Sequence, residues 1–208
     1  PIISEIEFAY HYCNSKKICV TGSNGKTTTT LLITHLLNNA GLSAKAVGNV
    51  GESYAMSVAI DPPDYQVIEL SSFQLDFMFS FKADIALLLN ITPDHLDRYE
   101  NSFDLYVNSK FRITQNMTVN DHFIYNYDDP VIKEALAKRN LECQTHPVSI
   151  FQKDGVDSWL DKESIIIKIN NQKQTIMSIH QLAQQGKHNV FNSMAAGIAA
   201  KVLSLIHI

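Results

Sequence analysis

The sequence lacks any hydrophobic run that could cross a bilayer, because its most apolar stretches, such as residues 85–89, are far shorter than the roughly 20 residues required. It also lacks a block of lysine and arginine, and charges of both signs are scattered along a chain whose formal net charge is −4. We therefore expect neither a membrane nor nucleic acid as a partner.

Cysteine is scarce as well. Cys13, Cys19 and Cys143 are odd in number and do not have the spacing of a metal site, which indicates reduced thiols. Residues 1–7 are mixed in character and lack the basic and then apolar segments of a signal peptide. Both observations favour a cytoplasmic location.

The 208 residues, of which 45% are apolar, can bury the core of one large domain, with room for at most a small appendage. The chain has no initiator methionine, opens on apolar residues typical of a helix already under way, and ends in an apolar stretch at residues 203–206. We expect it to be a piece of a longer protein.

Apolar runs and helical patterns alternate along most of the chain. The runs predict buried strands at residues 17–20, 44–47, 65–69, 85–89 and 122–125. Helical spacing after the first strand predicts a helix that stops at Gly41, and a second helix is predicted at residues 130–138. This alternation predicts the α/β class, with a mostly parallel sheet covered by helices on both faces.

A different pattern occupies residues 156–179. Its short β-type runs are at residues 159–160, 165–169 and 175–179. Polar turns separate the runs, and the turn at residues 170–172 suggests a hairpin, so we expect a small antiparallel sheet there. The apolar spacing of residues 192–203 then predicts a final helix.

The segment TGSNGKT, residues 21–27, lies between the first predicted strand and the first predicted helix. A loop in this position aims backbone N–H groups at one point, and the helix dipole adds partial positive charge there. Lys26 can place its ammonium on the β- and γ-phosphate oxygens of a nucleotide, and the Thr27 hydroxyl can bind Mg²⁺. Val20 stands where the general pattern has its first glycine, so a chance glycine turn with a solvated lysine is the alternative. The segment predicts a sheet of the P-loop NTPase type.

Two further segments follow later strands. Glu69 ends a strand, and ligands of open α/β sheets lie at the carboxyl ends of strands, so this carboxylate suits a phosphate-bound Mg²⁺. An ordinary surface glutamate is the alternative. Residues 90–97 follow the most hydrophobic strand. Within them, His95 is either a metal ligand or a structural histidine, and Asp97 can simply pair with Arg98.

Residues 186–192, GKHNVFN, precede the final predicted helix. Asn192 could be only the N-cap of that helix. His188 and Asn189 could contact a base or a ribose. The residues alone leave these alternatives open.

Together these segments resemble the Mur ligase family, the ATP-dependent enzymes that build the peptide stem of peptidoglycan. The family's variant phosphate loop, TGxNGK[ST], is present at residues 21–27 and does not need the glycine missing at Val20. The ordered set of matches covers essentially the whole chain. The other matches are Asn49 within GNVG, Glu69 at the head of ELSSFQL, residues 90–99, Lys110 within YVNSK, and His188, Asn189 and Asn192.

The resemblance implies that residues 1–208 are the family's central ATP-binding domain, with the N-terminal UDP-binding domain and the C-terminal amino-acid-binding domain absent. It implies ATP and two Mg²⁺ ions. Thr27 and Glu69 would bind the first Mg²⁺, and His95 with a carbamylated Lys110 would bind the second. An unmodified lysine is a poor ligand because its reference pKa of about 10.4 keeps it protonated. A plain surface lysine is the alternative at this position.

The resemblance also assigns the other site residues. Lys26, His95 and Lys110 are the implied catalytic residues. Asn49, Ser71 and His95 are implied on the substrate side. The implied ATP-binding residues are Thr21, Gly22, Ser23, Asn24, Gly25, Lys26, Thr27, Thr28, Asn189 and Asn192.

Residues 3–7 and the SSFQL run at residues 71–75 look most like the family members that add D-glutamate to UDP-N-acetylmuramoyl-L-alanine through an acyl phosphate. These two molecules are the implied partners, and a monomer is the implied state. The alternatives are another Mur ligase or folylpolyglutamate synthetase, an ATP-binding module without ligase activity, and a simple P-loop ATPase. Alone, the chain is expected to bind Mg–ATP weakly and to turn over nothing.

Overall fold

The computed structural model of the protein describes residues 2–169, 172–181 and 186–203. The strands are β1 (Lys16–Thr21), β2 (Ala44–Gly48), β3 (Tyr65–Glu69), β4 (Ile85–Leu88), β5 (His122–Asn126), β6 (Gln144–Ser149), β7 (Ser158–Asp161), β8 (Ser164–Ile169) and β9 (Gln172–Ser178). The α-helices are α1 (Glu5–Tyr10), α2 (Lys26–Asn39), α3 (Tyr54–Ile60), α4 (Ser72–Asp76), α5 (Phe103–Phe111), α6 (Pro130–Ala137) and α7 (Lys187–Val202). Short 3₁₀ turns occupy Leu96–Tyr99, Arg112–Thr114 and Ile179–Gln181.

Within the described residues the strands form one sheet in the order β2-β3-β1-β4-β5-β6-β7-β8-β9. Neighbours from β2 to β7 are parallel, whereas β8 is antiparallel to both β7 and β9. Ile18 of β1 lies opposite Val67 on one side and Ile85 on the other. The chain leaves β1 toward β2 and β3 on one side and later crosses to β4 on the other. In open α/β sheets, ligands bind at the carboxyl end of the strand where the order reverses in this way, which here is β1.

Helices cover both faces of the sheet. Helices α2 and α7 pack on one face, and α1, α3, α4, α5 and α6 pack on the other. Alternate residues of β1 enter the two cores, since Ile18 and Val20 point to the first face and Cys19 to the second. Coverage on both faces explains why the central strands are continuous apolar runs. Across the described ranges, the structure contains no helix with the length and apolar character needed to span a bilayer.

Helix caps fix the segments that lead away from the carboxyl edge of the sheet. Ser71 and Gln74 form a reciprocal capping box at the start of α4, directly after β3. The Asp129 carboxylate accepts two backbone N–H groups in the first turn of α6, where Pro130 occupies a favourable position. Its second oxygen accepts the N–H of Ile91 at 2.9 Å, which ties α6 to the segment after β4.

The predicted α/β class, the parallel strands and the helix at residues 130–138 are confirmed. The predicted antiparallel segment is present as β7–β9. It extends the main sheet instead of forming a separate one, because β7 pairs in parallel with β6. Of the predicted turn at residues 170–172, the first two residues lie outside the described ranges.

Other elements differ from the sequence prediction. Strand β6 was not predicted, because Gln144, His146 and Pro147 interrupt its apolar pattern, and neither were α3, α4 and α5. The last helix begins at Lys187 and not at residue 192, with Gly186 as its N-cap. The possibility that Asn192 is only an N-cap is therefore wrong, since it lies inside α7 and is buried.

Candidate active site

The phosphate loop, residues 21–27, lies at the carboxyl end of β1. Within it, Gly25 is the N-cap of α2 and has a φ of +84°. A Cβ at Gly25 would lie 3.0 Å from Nδ2 of Asn192, so α7 packs directly against the loop. Val20 needs no replacement by glycine, because it is buried within β1 and the strand continues through Thr21.

The segment after β4 holds the phosphate loop from its other side. The Asn90 side chain accepts the Asn24 N–H at 2.8 Å and donates to the Asn24 carbonyl at 3.0 Å. Ser23 donates its N–H to the Asn90 carbonyl at 3.0 Å and its hydroxyl to the Thr92 carbonyl at 2.9 Å. Protein contacts therefore fix the shape of the loop.

Lys26 extends back across its own loop. Its ammonium donates to the carbonyl oxygens of Gly22 at 2.9 Å and Ser23 at 3.1 Å. Hydrogen bonds to charged oxygens are about twice as strong as those to neutral carbonyls. A phosphate oxygen at the loop is therefore a better partner for Lys26 than the carbonyls it contacts.

Lys110 reaches the same loop from α5. The residue is 2% exposed, and its ammonium donates to the Gly22 carbonyl at 2.9 Å and to the Thr21 hydroxyl at 3.3 Å. Burial lowers the pKa of Lys110 to about 7, and the neighbouring charge of Lys26 contributes in the same direction. The alternative of a plain surface lysine is therefore wrong, and at neutral pH a large share of this side chain is the free amine.

Glu69 closes the other side of the loop. It is 2% exposed, and its two carboxylate oxygens accept from the Thr27 hydroxyl at 2.7 Å and from Nδ2 of Asn49 at 2.9 Å. Both partners are neutral, and within the described ranges no lysine, arginine or histidine forms an ion pair with Glu69. A buried carboxylate without a cationic partner suits a divalent cation, and the alternative of a surface glutamate is wrong.

His95 lies at the rim of the site. Its backbone is left-handed, with a φ of 49°, and its side chain is 57% exposed, 3.5 Å from Asp94. The His95 and Phe73 ring centroids are 5.4 Å apart, and the Arg98 guanidinium lies over the Phe73 ring, 4.4 Å from its centroid. Among the described residues, neither a hydrogen bond between His95 and Lys110 nor an Asp97–Arg98 ion pair is present.

The structure places the other predicted site residues at different depths. Asn49 is exposed in the loop after β2, whereas Ser71 is half-buried and caps α4. Thr28 is half-buried in the first turn of α2, and Asn189 is half-buried in the first turn of α7. Asn192 is 5% exposed beneath Gly25.

Two residues of the site were not predicted. The Asn90 side chain forms two hydrogen bonds with the backbone of Asn24 in the phosphate loop, and the Tyr106 hydroxyl lies 3.1 Å from the Ser23 hydroxyl. The Tyr106 ring also lies 5.3 Å from the Lys110 ammonium, one helical turn along α5. That i, i+4 spacing was the available signal for Tyr106. For Asn90, the signal was its position directly after the most hydrophobic strand.

The described part of the chain contains no group of three or more His, Cys, Asp or Glu side chains arranged to hold a metal ion. A Mg²⁺ ion bound with nucleotide takes only one or two protein carboxylates, together with phosphate oxygens and water. Glu69 and Thr27 meet that requirement for one ion. The second predicted ion has no assembled set of ligands among these residues.

Comparisons with known proteins agree with this geometry. A model of the Mur ligase middle domain matches residues 20–200. The chain is 50% identical to the UDP-N-acetylmuramoylalanine–D-glutamate ligase of Bacteroides fragilis and 46% identical to that of Porphyromonas gingivalis. The alignments cover 99% and 98% of this chain and 46% of each relative. The chain thus spans about half the length of the curated relatives it matches.

Solved structures share the fold at lower identity. A UDP-N-acetylmuramoyl-L-alanyl-D-glutamate–2,6-diaminopimelate ligase matches with a TM-score of 0.70 and 21% identity, over 92% of this chain and 44% of that one. A MurF ligase from Thermotoga maritima, solved in complex with ADP, matches with a TM-score of 0.66 and 18% identity, over 96% of this chain and 49% of that one. With the family model matched over most of its length, the chain belongs to the Mur ligase family.

Proposed function

We propose that this chain is the ATP-binding core of a ligase that joins D-glutamate to UDP-N-acetylmuramoyl-L-alanine in peptidoglycan precursor synthesis. The observation that carries the proposal is the convergence of Lys26, Lys110 and Glu69 on one phosphate loop. Support for this acceptor comes from the name of the relatives that are 46% and 50% identical. These relatives are about twice as long as this chain. We therefore assign the binding sites for the nucleotide sugar and the amino acid mainly to the rest of a longer parent protein. We propose that this parent protein is a cytoplasmic monomer.

The proposed reaction has two steps. The alanyl carboxylate attacks the γ-phosphorus of ATP, the bond to the bridging oxygen breaks, and ADP leaves. The amine of D-glutamate then attacks the acyl-phosphate carbonyl, and the tetrahedral intermediate loses a proton and expels phosphate to leave the amide. Charge shifts among phosphate oxygens in both steps, so fixed cations and N–H donors supply most of the catalysis.

Lys26 is assigned to the β- and γ-phosphate oxygens. Its ammonium already lies at the loop, where it donates to the Gly22 and Ser23 carbonyl oxygens. The backbone N–H groups at the start of α2 add donors along the helix dipole. The remaining loop residues, from Thr21 through Thr28, hold this arrangement around the phosphates.

Glu69 and Thr27 are assigned to the nucleotide's Mg²⁺. Both offer hard oxygen atoms, and the Thr27 hydroxyl can keep donating its proton to Glu69 while its lone pair faces the cation. When bound, Mg²⁺ neutralises charge that develops on the phosphate oxygens. Glu69 fixes where that positive charge is held.

Lys110 is assigned to a carbamate that forms when its free amine adds to CO₂ and releases a proton. A pKa of about 7 makes the free amine available at neutral pH, which supports this assignment. The product is an anionic oxygen donor in place of a cation. With His95, it is the proposed pair of ligands for a second Mg²⁺.

The remaining assignments follow the same edge of the sheet. Asn49, Ser71 and His95 lie in the segments that follow β2, β3 and β4 at the carboxyl edge of the sheet, and are assigned to the acyl substrate. Asn189 and Asn192 of α7 are assigned to the adenine or ribose side of ATP. Asn192 is 5% exposed and packs against Gly25. Its proposed role is therefore to support the phosphate loop that binds the nucleotide.

Hydroxylamine trapping tests the proposed chemistry in the parent protein. With ATP, Mg²⁺ and UDP-N-acetylmuramoyl-L-alanine but no D-glutamate, hydroxylamine should convert the acyl phosphate into a hydroxamate that mass spectrometry detects. The Glu69→Gln variant should form far less of it, whereas Lys138→Ala, on the exposed surface of the same domain, should match the wild type. ATP hydrolysis without any hydroxamate would contradict the acyl-phosphate route.

A further inference from the structure

The Glu69 carboxylate is held from two opposite sides. Thr27 binds Oε2 from the phosphate loop, and Asn49 binds Oε1 from the loop after β2. Each carboxylate oxygen has two lone pairs, so one on each oxygen stays available after these bonds form. The two contacts together set the plane of the carboxylate and the direction of the free lone pairs.

The loop that carries Asn49 is locked against the end of β3. The Asn49 N–H donates to the Glu69 carbonyl at 3.0 Å, and the Gly48 N–H donates to the Glu52 carbonyl at 3.0 Å. Gly48 has a φ of +96°, and a Cβ there would lie 2.5 Å from the Glu69 carbonyl oxygen. Only glycine permits this approach, so the backbone of Asn49 is fixed relative to the residue that its side chain orients.

The contacts of Thr27 and Asn49 are not equivalent. Thr27 is exposed, and in the proposed function its hydroxyl also faces the cation. In the proposed function, Asn49 contacts Glu69 but not the cation. Because its amide donor is neutral, it orients the carboxylate without neutralising its charge. A charged donor in its place would weaken the attraction between Glu69 and a cation.

We infer that Asn49 is a positioning residue that acts through Glu69 and sets the affinity of the site for the divalent cation of the nucleotide. The inference rests on the proposed function, because it takes Glu69 to be a ligand of that cation. Hydrogen-bond partners of metal ligands typically contribute about 10- to 100-fold in metal affinity. This duty is separate from the proposed contact of Asn49 with the acyl substrate.

Binding of Mn²⁺ in the presence of ADP, followed by electron paramagnetic resonance of the free ion, tests this inference on the chain itself. Asn49→Ala should weaken Mn²⁺ binding by about 10- to 100-fold. Val50→Ala, a truncation of the neighbouring side chain in the same loop, should leave it unchanged. The affinity for ADP in excess chelator should be the same in all these variants, since that measurement does not involve the cation.

A double-mutant cycle with Glu69→Gln separates the possible outcomes. If Asn49 acts through Glu69, adding Asn49→Ala to Glu69→Gln causes little further loss of Mn²⁺ affinity. An equal loss in both backgrounds, or no loss from Asn49→Ala when Glu69→Gln does weaken binding, overturns the positioning inference alone. No loss from Glu69→Gln overturns the metal assignment of the proposed function as well. If Asn49→Ala does not fold, Asn49→Ser keeps a polar residue whose hydroxyl is too short to reach Glu69.

Discussion

The side-chain nitrogen of Lys110 lies 2.9 Å from the carbonyl oxygen of Gly22, so a residue of α5 contacts the phosphate loop directly. Lys26 donates to the same carbonyl oxygen, also at 2.9 Å. Two lysines thus share one neutral acceptor. Burial lowers the pKa of Lys110, and the nearby positive charge of Lys26 lowers it further.

The first prediction concerns carbamylation of Lys110. Its amine is partly unprotonated at neutral pH, so isotopically labelled bicarbonate should give a carbamate signal in carbon NMR of the protein. The signal should be absent in Lys110→Arg, which keeps a cation but has no amine nucleophile at neutral pH. Lys45→Arg, a change at a more exposed lysine, is the control that should keep it. A signal that survives in Lys110→Arg would place the carbamate elsewhere.

The second prediction concerns nucleotide binding by Lys26. Lys26→Ala should weaken ADP binding in calorimetry by at least about 10-fold, because hydrogen bonds to charged groups contribute about 1.5–3 kcal/mol. Circular dichroism should show an unchanged fold, since the hydrogen bonds of the Lys26 ammonium within the described ranges are to carbonyls of its own loop. Lys138→Ala, which removes an exposed lysine paired with Glu134, should bind ADP normally. Normal binding by Lys26→Ala would show that the phosphate-loop assignment is wrong.

The third prediction concerns packing between Gly25 and α7. Gly25 and Gly41 have similar φ angles, +84° and +81°, but only Gly25 has a neighbour within reach of a Cβ. Each change to alanine should lower the free energy of unfolding by about 1–2 kcal/mol because of the left-handed backbone. Gly25→Ala should lose about 1–3 kcal/mol more from crowding against Asn192.

Urea unfolding of both variants measures that difference. Adding Asn192→Ala should relieve the extra loss in Gly25→Ala and should not help Gly41→Ala. Equal losses for the two glycine variants would mean that Asn192 does not press on the loop.

The fourth prediction concerns three hydrogen-bonded side chains, of which His146 is buried and His122 and Asp157 are half-buried. Nδ1 of His122 lies 2.9 Å from Nε2 of His146, whose Nδ1 lies 2.7 Å from the Asp157 carboxylate. Burial lowers the pKa of His122, His146 lowers it further, and Asp121 acts in the opposite direction. As pH falls below about 6.5, the unfolded chain therefore takes up this proton first, and the fold loses stability.

Urea unfolding at a series of pH values checks the sign of this effect. His122→Gln should flatten the fall of the unfolding free energy below about pH 6.5, because it removes a histidine whose pKa is lower in the folded state than in the unfolded state. His35→Gln, a change at an exposed histidine of α2, should keep the wild-type slope. An unchanged slope in His122→Gln would contradict the lowered pKa.

Much of the fold could be predicted from the sequence because the central strands are buried on both faces. Such strands are continuous apolar runs, as at residues 85–89, and their pattern does not depend on the neighbours they find. Strand β6 could not be predicted in this way. Its polar residue His146 is buried only because Asp157 and His122 satisfy it, and those partners are distant in sequence.

The candidate site, like the fold, could be predicted from the sequence only in part. Glu69 and the loop at residues 21–27 could be proposed from the sequence because Glu69 ends one predicted strand and the loop directly follows another, and parallel strands end at one edge of the sheet. The burial of Lys110 could not be predicted, since it depends on how α5 packs against the loop. The role of Asn49 beside Glu69 was also hidden, because Gly48 sets that approach through backbone contacts between two strands.

The most direct test of the central claim is phosphate release by the full-length parent protein, with ATP, Mg²⁺ and UDP-N-acetylmuramoyl-L-alanine, against a panel of amino acids. We predict release that depends on D-glutamate and on no other member of the panel. Release that depends on a different amino acid would keep the family and contradict the proposed acceptor. Release without any acceptor would contradict the ligase itself and identify a simple ATPase.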